Sequence, residues 1–250
     1  MEIIISGANG RMGRMLAETV RGAQDKGTPY HVTARVDISL ETDLTAGTYA
    51  ALGQFMGRAD VVVDFSHHAA TRELTEYCLD RSLPVVIATT GQTEEELKLI
   101  HAASGQIPVF LSANMSLGVA LLAGLVQKAA SVLPDAEIEI IEHHHDQKLD
   151  VPSGTALLLA KRIVDVRPGS QLVVGRHENG KRSAGEIGIH SLRYGNEVGI
   201  HEVILSTGKE TITLRHKAED RALFAQGALA AAAFLVGKEP GLYDMRDIVG

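Results

Sequence analysis

The densest chemistry in this chain lies in one segment, Glu142-His143-His144-His145-Asp146-Gln147-Lys148-Leu149-Asp150-Val151-Pro152-Ser153-Gly154-Thr155. It supports three readings. Successive residues on a strand point to opposite faces, so a run of three histidines cannot close on one metal ion; only the alternate pair His143 and His145 shares a side. No CxxC or HExxH partner completes a zinc set, and no metal ligand is assigned. A second reading is a solvated turn with no role. The third is an acid site for an anionic substrate. Lys148 and a histidine supply donors and protons, and an imidazole titrating near neutrality suits proton transfer. Ser153 is a good helix cap, which leaves the N–H groups of Gly154 and Thr155 at the positive end of a helix, where a carboxylate sits favourably. A cationic lysine beside a helix N-terminus points to a substrate with at least one carboxylate.

A second chemical feature opens the chain. Gly7-Ala8-Asn9-Gly10-Arg11-Met12-Gly13 directly follows the apolar run Ile3-Ile4-Ile5 and starts a helical stretch. A tight turn in that setting lets backbone N–H groups face a pyrophosphate, helped by the partial positive charge of the helix start. The spacing is GxxGxxG, with Asn9 where the commoner fingerprint has its second glycine; asparagine tolerates the left-handed region better than most residues. Asp37, at the end of the next β-rich run, can accept hydrogen bonds from both ribose hydroxyls of an adenosine and would repel a 2′-phosphate. Ile38 follows it, not a basic residue, and the direction of Arg35 is left open by strand alternation, so the reading leans to NAD over NADP. An aspartate that merely starts a loop is the alternative. Asp64-Phe65-Ser66, Ala88-Thr89-Thr90-Gly91 and Ser112-Ala113-Asn114-Met115 end further apolar runs and together outline the rim of a cofactor crevice, with Phe65 against a ring and Thr89-Thr90 along the nicotinamide ribose. Each alone is ordinary turn chemistry.

These residues need elements to position them. Ile3–Ile5, Val32–Asp37, Val61–Phe65, Val85–Ile87 and Pro108–Leu111 are apolar strand candidates, separated by helical stretches over Arg11–Val20, Ala69–Arg81 and Thr93–Ala103. Continuously apolar strands alternating with helices indicate a parallel sheet covered on both faces. Asp37–Gly57 is irregular and stays unassigned. After residue 115 the pattern changes. A long apolar helix over Leu117–Leu133 precedes Glu137–Glu142, whose charged and apolar residues alternate as in a strand with one wet face. A helix over Ser153–Val166 follows, then strands over Gln171–Gly175, Gly185–Leu192, Glu197–Ser206 and Thr211–His216, and an Ala-rich helix over Asp220–Val236. The fold class is therefore α/β: an N-terminal Rossmann-like parallel sheet plus an α+β unit with an open mixed sheet.

Composition narrows the function. The 250 residues carry a net charge of −7 with no block of like charges, which argues against nucleic acid as partner. No apolar run is long enough to span a bilayer, and no signal peptide is visible. Cys78, the single cysteine, excludes an internal disulfide and suits a reducing cytoplasm. It reads as a buried helix residue. His67 and His68 read as a helix start, with contact to the cofactor as the alternative, and His190, His201 and His216 as strand residues without a ligand role.

Taken together, Gly-Ala-Asn-Gly-Arg-Met-Gly at 7–13 and Glu-His-His-His-Asp-Gln-Lys-Leu-Asp-Val-Pro-Ser-Gly-Thr-Ala at 142–156 closely resemble the 4-hydroxy-tetrahydrodipicolinate reductase (dihydrodipicolinate reductase) family of bacterial lysine and diaminopimelate synthesis. Val-Ile-Ala-Thr-Thr-Gly at 86–91, Ser-Ala-Asn-Met-Ser at 112–116 and His-Lys-Ala-Glu-Asp-Arg at 216–221 extend the likeness over essentially the whole chain. The resemblance implies a dinucleotide-binding domain of residues 1–115 and 219–250, with the last helix packing on the first, and a substrate-binding and tetramerisation domain of residues 116–218. It implies hydride delivery from NAD(P)H, NADH preferred, to a cyclic dicarboxylate imine, with loss of water overall, in a cytoplasmic homotetramer. It makes His144 the proton donor or acceptor and Lys148 the other proton donor. His145, Gly154 and Thr155 would hold substrate. Gly7, Ala8, Asn9, Gly10, Arg11, Met12, Asp37, Ala88, Thr89, Thr90, Ser112, Ala113, Asn114 and Met115 would hold the cofactor. The chain departs from the best-known members at Asp146 and Gln147, where an arginine and a histidine are common, removing positive charge beside His144. Ala88 stands where glycine is frequent, and Ile38 where a basic residue is. Another Rossmann reductase acting on an amino or imino acid is the chief rival. A regulator that binds NAD without catalysis would need a DNA- or partner-binding module, and none is seen.

Overall fold

The computed structural model describes residues 1–250, in two units: Met1–Ser116 with Ala222–Gly250, and Leu117–Arg221. In the first, β1 (Glu2–Ser6), β2 (His31–Val36), β3 (Thr48–Tyr49), β4 (Val61–Asp64), β5 (Val85–Ile87), β6 (Pro108–Leu111) and β12 (Gly241–Tyr243) form one seven-stranded sheet. Its order is β12-β6-β5-β4-β1-β2-β3, and every pairing is parallel. Ile3, Ile4, Ile5, Val61, Val62, Val63, Val85, Val86 and Ile87 are fully buried. β-Branched side chains suit the pleat, and helices on both faces remove both sides of the central strands β1, β4 and β5 from water.

Helices α1 (Arg11–Gln24), α2 (Thr71–Asp80) and α3 (Glu94–Ser104) connect the strands, and α6 (Ala222–Leu235) returns from the second unit's end of the chain to pack on α1. The alanines of α6 allow that approach: Ala225, Ala228, Ala231 and Ala232 are fully buried. Gly227 is required there, because a Cβ would lie 1.6 Å from the Met115 carbonyl oxygen. The α3 start is closed by a reciprocal pair, Thr93 Oγ1 accepting from Glu96 N–H while the Glu96 carboxylate accepts from Thr93 N–H. Strand order reverses between β2 and β4 around β1, which places the turn after β1 at the switch point where such sheets take ligands.

Three features depart from the sequence-based expectations. The helix expected over 69–81 begins as a 3-10 turn, His68–Ala70, before α2. The unassigned stretch after Asp37 holds two-residue β3 and a 3-10 turn at Leu52–Gln54. Past α6, the short β12 joins the edge of β6 and α7 (Arg246–Val249) closes the chain; both are too short to carry a period.

The second unit contains α4 (Leu117–Val132), β7 (Glu137–His144), α5 (Gly154–Val166), β8 (Gln171–Val174), β9 (Glu186–Arg193), β10 (Gly199–Ser206) and β11 (Thr211–Ala218). The sheet runs β11-β10-β7-β9-β8, antiparallel on the β10 side of β7 and parallel on the β9 side. One face packs Ile138, Ile140, Ile187, Ile189, Val203 and Leu205 against Leu122 and Val126 of α4 and Leu159 and Ile163 of α5. Arg167 closes the end of α4, donating to the carbonyls of Ala130, Leu133 and Ala136. Strand β7 runs two residues past the expected Glu142, so His143 and His144 are strand residues on opposite faces. Register then sets Glu142 opposite both Ser191 of β9 and His201 of β10, and His201 opposite His216 of β11. Two residues along, on the same face, Arg193 faces His144 and Gly199 faces Ala218.

Candidate active site

The glycine turn is closed by its own main chain. Gly7 N–H and Ala8 N–H both donate to the Val36 carbonyl, at 2.9 and 3.0 Å, and Gly10 N–H donates to Gly7 O at 3.1 Å. Asn9 N–H donates to Asp37 Oδ2 at 3.1 Å. Those four amides are therefore spent on shape. Gly10, the N-cap of α1, brings no side-chain bond, so the first-turn amides of Arg11, Met12 and Gly13 precede the first helical hydrogen bond, Arg14 N–H to Gly10 O. Gly7 has φ +76, and a Cβ there would lie 2.5 Å from Phe65 O; a Cβ on Gly13 would lie 2.2 Å from Gly7 O. Asn9, in contrast, does not use the left-handed region: Ser82 is the one non-glycine residue with positive φ. Asn9 instead clasps its neighbours, donating from Nδ2 to Ser39 Oγ at 2.7 Å and accepting from Arg14 at 2.6 Å.

Asp37 sits just past β2. Its Oδ1 accepts from Ser39 N–H at 2.9 Å and Ser39 Oγ at 2.6 Å. Partial burial works to raise its pKa, but the bonds from Ser39 and Asn9 and the charge of Arg14 outweigh it and hold the carboxyl below its usual range. It is thus both a loop starter and a fixed, ionised group beside the turn.

At the ends of β4 and β5, Thr89 Oγ1 donates to Asp64 Oδ2 at 2.5 Å and Ser66 Oγ donates to Asp64 Oδ1 at 2.6 Å. Burial raises the Asp64 pKa, and these hydroxyl bonds only partly offset it. The pair ties Thr89 to the neighbouring strand and leaves Thr90 exposed beside it. Ser112 Oγ donates to Asn114 O at 2.8 Å, and Asn114 Oδ1 accepts from Ser116 N–H at 2.9 Å, shaping the 112–116 turn. Met115 is buried, so that position offers main chain alone. His67 and His68 make the helix start that their place suggests: His67 Nδ1 accepts from Ala69 N–H, and His68 Nδ1 lies 3.0 Å from the Glu96 carboxylate. Cys78 is fully buried in α2, and burial pushes its thiol pKa up.

The second unit gathers the ionisable groups. Glu142 is completely buried, yet its carboxylate meets four donors. Oε2 accepts from His144 Nδ1 at 2.5 Å and from Arg193 at 2.8 Å; Oε1 accepts from Arg193 at 2.7 Å and from Ser153 N–H at 3.2 Å. Burial alone would raise the Glu142 pKa. The bonds from His144 and Arg193 win and hold it far below the ordinary carboxylate range. An ionised carboxylate only accepts, so Nδ1 of His144 carries the proton and Nε2 is the ring's free nitrogen. Gly199 keeps room there, since a Cβ on it would come within 2.9 Å of Nε2.

His201 was read from the sequence as an ordinary strand histidine. It is buried against His144, ring centroids 5.1 Å apart and edge to face, with Nε2 3.0 Å from Ser153 Oγ. Burial pushes its pKa down to about 3, so it is neutral near pH 7. Ser153 Oγ accepts from Ala156 N–H at 3.2 Å and caps α5. Gly154, the first residue of α5, is exposed, and nothing would crowd a Cβ on it. Lys148 Nζ lies 2.8 Å from Asp150 Oδ1, a pairing that lowers the Asp150 pKa. His145 Nε2 lies 3.4 Å from Arg221, and His145 N–H donates to Glu197 O at 3.0 Å. His143, on the other face of β7, stacks on Tyr194 and bonds the Tyr194 carbonyl through Nε2 at 3.0 Å. The unit thus ties His144, through Glu142, to Ser153 at the start of α5, where Gly154 and Thr155 follow, and Lys148 lies close enough to act on His201; His145 instead contacts Glu197 and Arg221. Glu142, Arg193, Gly199 and His201 complete the set; alternation could have flagged Glu142 as an inward charge, while the other three carry no local signal.

A parallel sheet of this order with a closed glycine turn after β1 defines the class, a Rossmann-like dinucleotide-binding fold carrying an additional α+β unit. The family models described as dihydrodipicolinate reductase, N-terminus, and dihydrodipicolinate reductase, C-terminus, match residues 1–115 and 118–249. The 4-hydroxy-tetrahydrodipicolinate reductase of Caldanaerobacter subterraneus subsp. tengcongensis is 45% identical over 251 residues, covering 100% of this chain and 98% of the relative. That of Clostridium tetani is 41% identical over 247 residues, covering 98% and 95%. Among solved structures, the dipicolinate-bound dihydrodipicolinate reductase from Paenisporosarcina sp. TG-14 superposes with a TM-score of 0.81 at 26% identity over 99% of both chains. The chain belongs to the dihydrodipicolinate reductase family. It is an oxidoreductase, with NAD(P)H as its hydride source.

Proposed function

We propose that this protein reduces 4-hydroxy-tetrahydrodipicolinate to tetrahydrodipicolinate, with His144 and Lys148 as the proton-transferring groups. The observation that carries the reading is His144 itself: a histidine with one nitrogen fastened to buried Glu142, whose carboxylate also accepts from the Ser153 N–H at the start of α5. A carboxylate of the substrate would take the N–H groups of Gly154 and Thr155, with His145 on its flank. Lys148, at present paired with Asp150, brings an ammonium to the same group. The relative from Paenisporosarcina is solved with dipicolinate, itself a ring with two carboxylates. The nicotinamide cofactor supplies the hydride. Arg11 and Met12 amides would hold its pyrophosphate; Gly7, Ala8, Asn9 and Gly10 shape that cradle; Asp37 would hold the adenosine ribose; and Ala88, Thr89, Thr90, Ser112, Ala113, Asn114 and Met115 would line the rest. The test is oxidation of NADH by the condensation product of pyruvate and aspartate semialdehyde. Stoichiometric oxidation is the expected result; NADH binding without turnover would transfer the protein to the class of dinucleotide-binding regulators.

The same reading prefers NADH to NADPH, supported by the ionised, anchored Asp37 and by Ile38 beside it. A higher kcat/KM with NADPH would overturn it. The working form is a cytoplasmic homotetramer. The helix-free face of the second sheet, which carries Ile141, Ile204 and Leu192 among charges, supports assembly through that face. Light scattering on the purified protein should return four times the 26.7 kDa chain mass.

A further inference from the structure

We propose that Glu142 and Arg193 form a positioning couple, which fixes His144 in one tautomer and ties it to the substrate-binding start of α5. This rests on the reading of His144 as the proton-transfer group. The observation beneath it is saturation. A carboxylate has about four acceptor positions, and at Glu142 each is used: His144 and one arm of Arg193 on Oε2, Ser153 N–H and the other arm of Arg193 on Oε1. The planar two-pronged guanidinium leaves the carboxylate no freedom to turn. Arg193 is itself fastened, donating to Asp150 O and Leu192 O at 2.8 Å.

Two consequences follow for His144. Its Nδ1–H is held by a fixed anion, so Nε2 faces the space left by Gly199 and is the nitrogen that exchanges a proton. When Nε2 gains that proton, the new imidazolium lies against a charge already in place, and nothing has to reorient. The second arm reaches α5. Ser153 N–H bonds the same carboxylate, and Ser153 Oγ bonds His201 and caps the helix. A substrate carboxylate docked on the amides of Gly154 and Thr155 is therefore registered against His144 through a single side chain. The groups that face His144 are Glu142 on its own strand, Arg193 on β9, and His201 and Gly199 on β10. Lys148 and His216 act on His201 at longer range. His201 is neutral near pH 7, so the Glu142–Arg193 couple dominates the field on the ring.

The couple is tested on the intact enzyme with Glu142→Gln and Arg193→Lys. A proton shared over 2.5 Å between Nδ1 and a carboxylate is strongly deshielded, so ¹⁵N-histidine NMR should show one such resonance, assigned by its loss in His144→Gln. In Glu142→Gln that resonance should move far upfield. kcat should drop about 10²–10⁴-fold, with KM and NADH affinity within about threefold. In Arg193→Lys the resonance should remain but shift, with kcat down about tenfold. An unchanged resonance and an unaltered kcat in a folded Glu142→Gln protein would overturn the proposal. If that variant does not fold, an unshifted resonance and unaltered kcat in Arg193→Lys would do so. Should the wild-type protein fail to reduce the proposed substrate, the functional reading falls, while the NMR signature still decides whether the couple holds the ring.

Discussion

The glycine turn at residues 7–13 and the cluster around Glu142 do opposite kinds of work with opposite materials. The turn is main chain: its first four amides close on Val36, Asp37 and Gly7, and the charge it offers an anion is the partial charge of a helix start. The cluster is side chains, with full charges from β7 and β9 and a neutral histidine from β10 gathered around one buried carboxylate. A site that only has to grip a pyrophosphate can use dipoles, which stay the same at every pH. A site that moves protons needs titratable groups, and burying them demands that each charge be paired. The first design is robust and local; the second is sensitive and assembled from distant chain.

Four perturbations separate the two. The largest expected effect is on chemistry alone. His144→Ala or Lys148→Ala should cost about 10²–10⁴-fold in kcat while NADH affinity, followed by fluorescence titration, stays within a factor of about three. Loss of NADH binding in either variant would erase the division of labour.

The next concerns pH. Folded His201 resists protonation until about pH 3, whereas in the unfolded chain it takes a proton near its ordinary value of 6.5. Between those values the unfolded state binds more protons, so stability falls as pH falls, by about 1.4 kcal/mol per unit from this group. Urea titrations at pH 7.5 and 4.5 should show the wild type losing roughly 2.5 kcal/mol more than His201→Gln. Equal losses would mean that His201 is charged or exposed in the folded protein. No such dependence should arise from the glycine turn.

Gly13→Ala attacks that turn directly. Its Cβ would need to displace Gly7 O from 2.2 Å, so NADH affinity should weaken at least tenfold, about 1.4 kcal/mol, with the deshielded His144 proton still present. A normal affinity would show that the turn can widen without loss. The smallest effect is expected at Asp37. Asp37→Ala removes the anion beside the ribose site and should move the NADPH-to-NADH ratio of kcat/KM about fivefold towards NADPH, roughly 1 kcal/mol; paired kinetics would sink the assignment if the ratio stayed fixed.

Much of the first unit was legible in advance because its signals are short-range. Val61–Val63 and Val85–Ile87 state their burial by composition, Thr93 and Glu96 cap a helix three residues apart, and Gly7 and Gly13 lie within one turn. Asn9 was misjudged for a related reason. Tolerance of left-handed backbone was its best local rationale, but its partners Ser39 and Asp37 lie on another loop. Strand β12 was missed because three residues carry no pattern, and only the open edge of β6 makes them a strand.

The site in the second unit divides along the same line. Sequence by itself determined that the segment from Glu142 to Thr155 holds histidines, a lysine and a capped helix start, since adjacency and capping are local properties of the chain. Only tertiary structure decided which histidine works and how. Arg193 is 51 residues from Glu142, and Ser153 and His201 are 48 apart. They meet because strands of one sheet align by register, with side chains alternating between faces, and that alignment exists only once β9 and β10 have paired with β7.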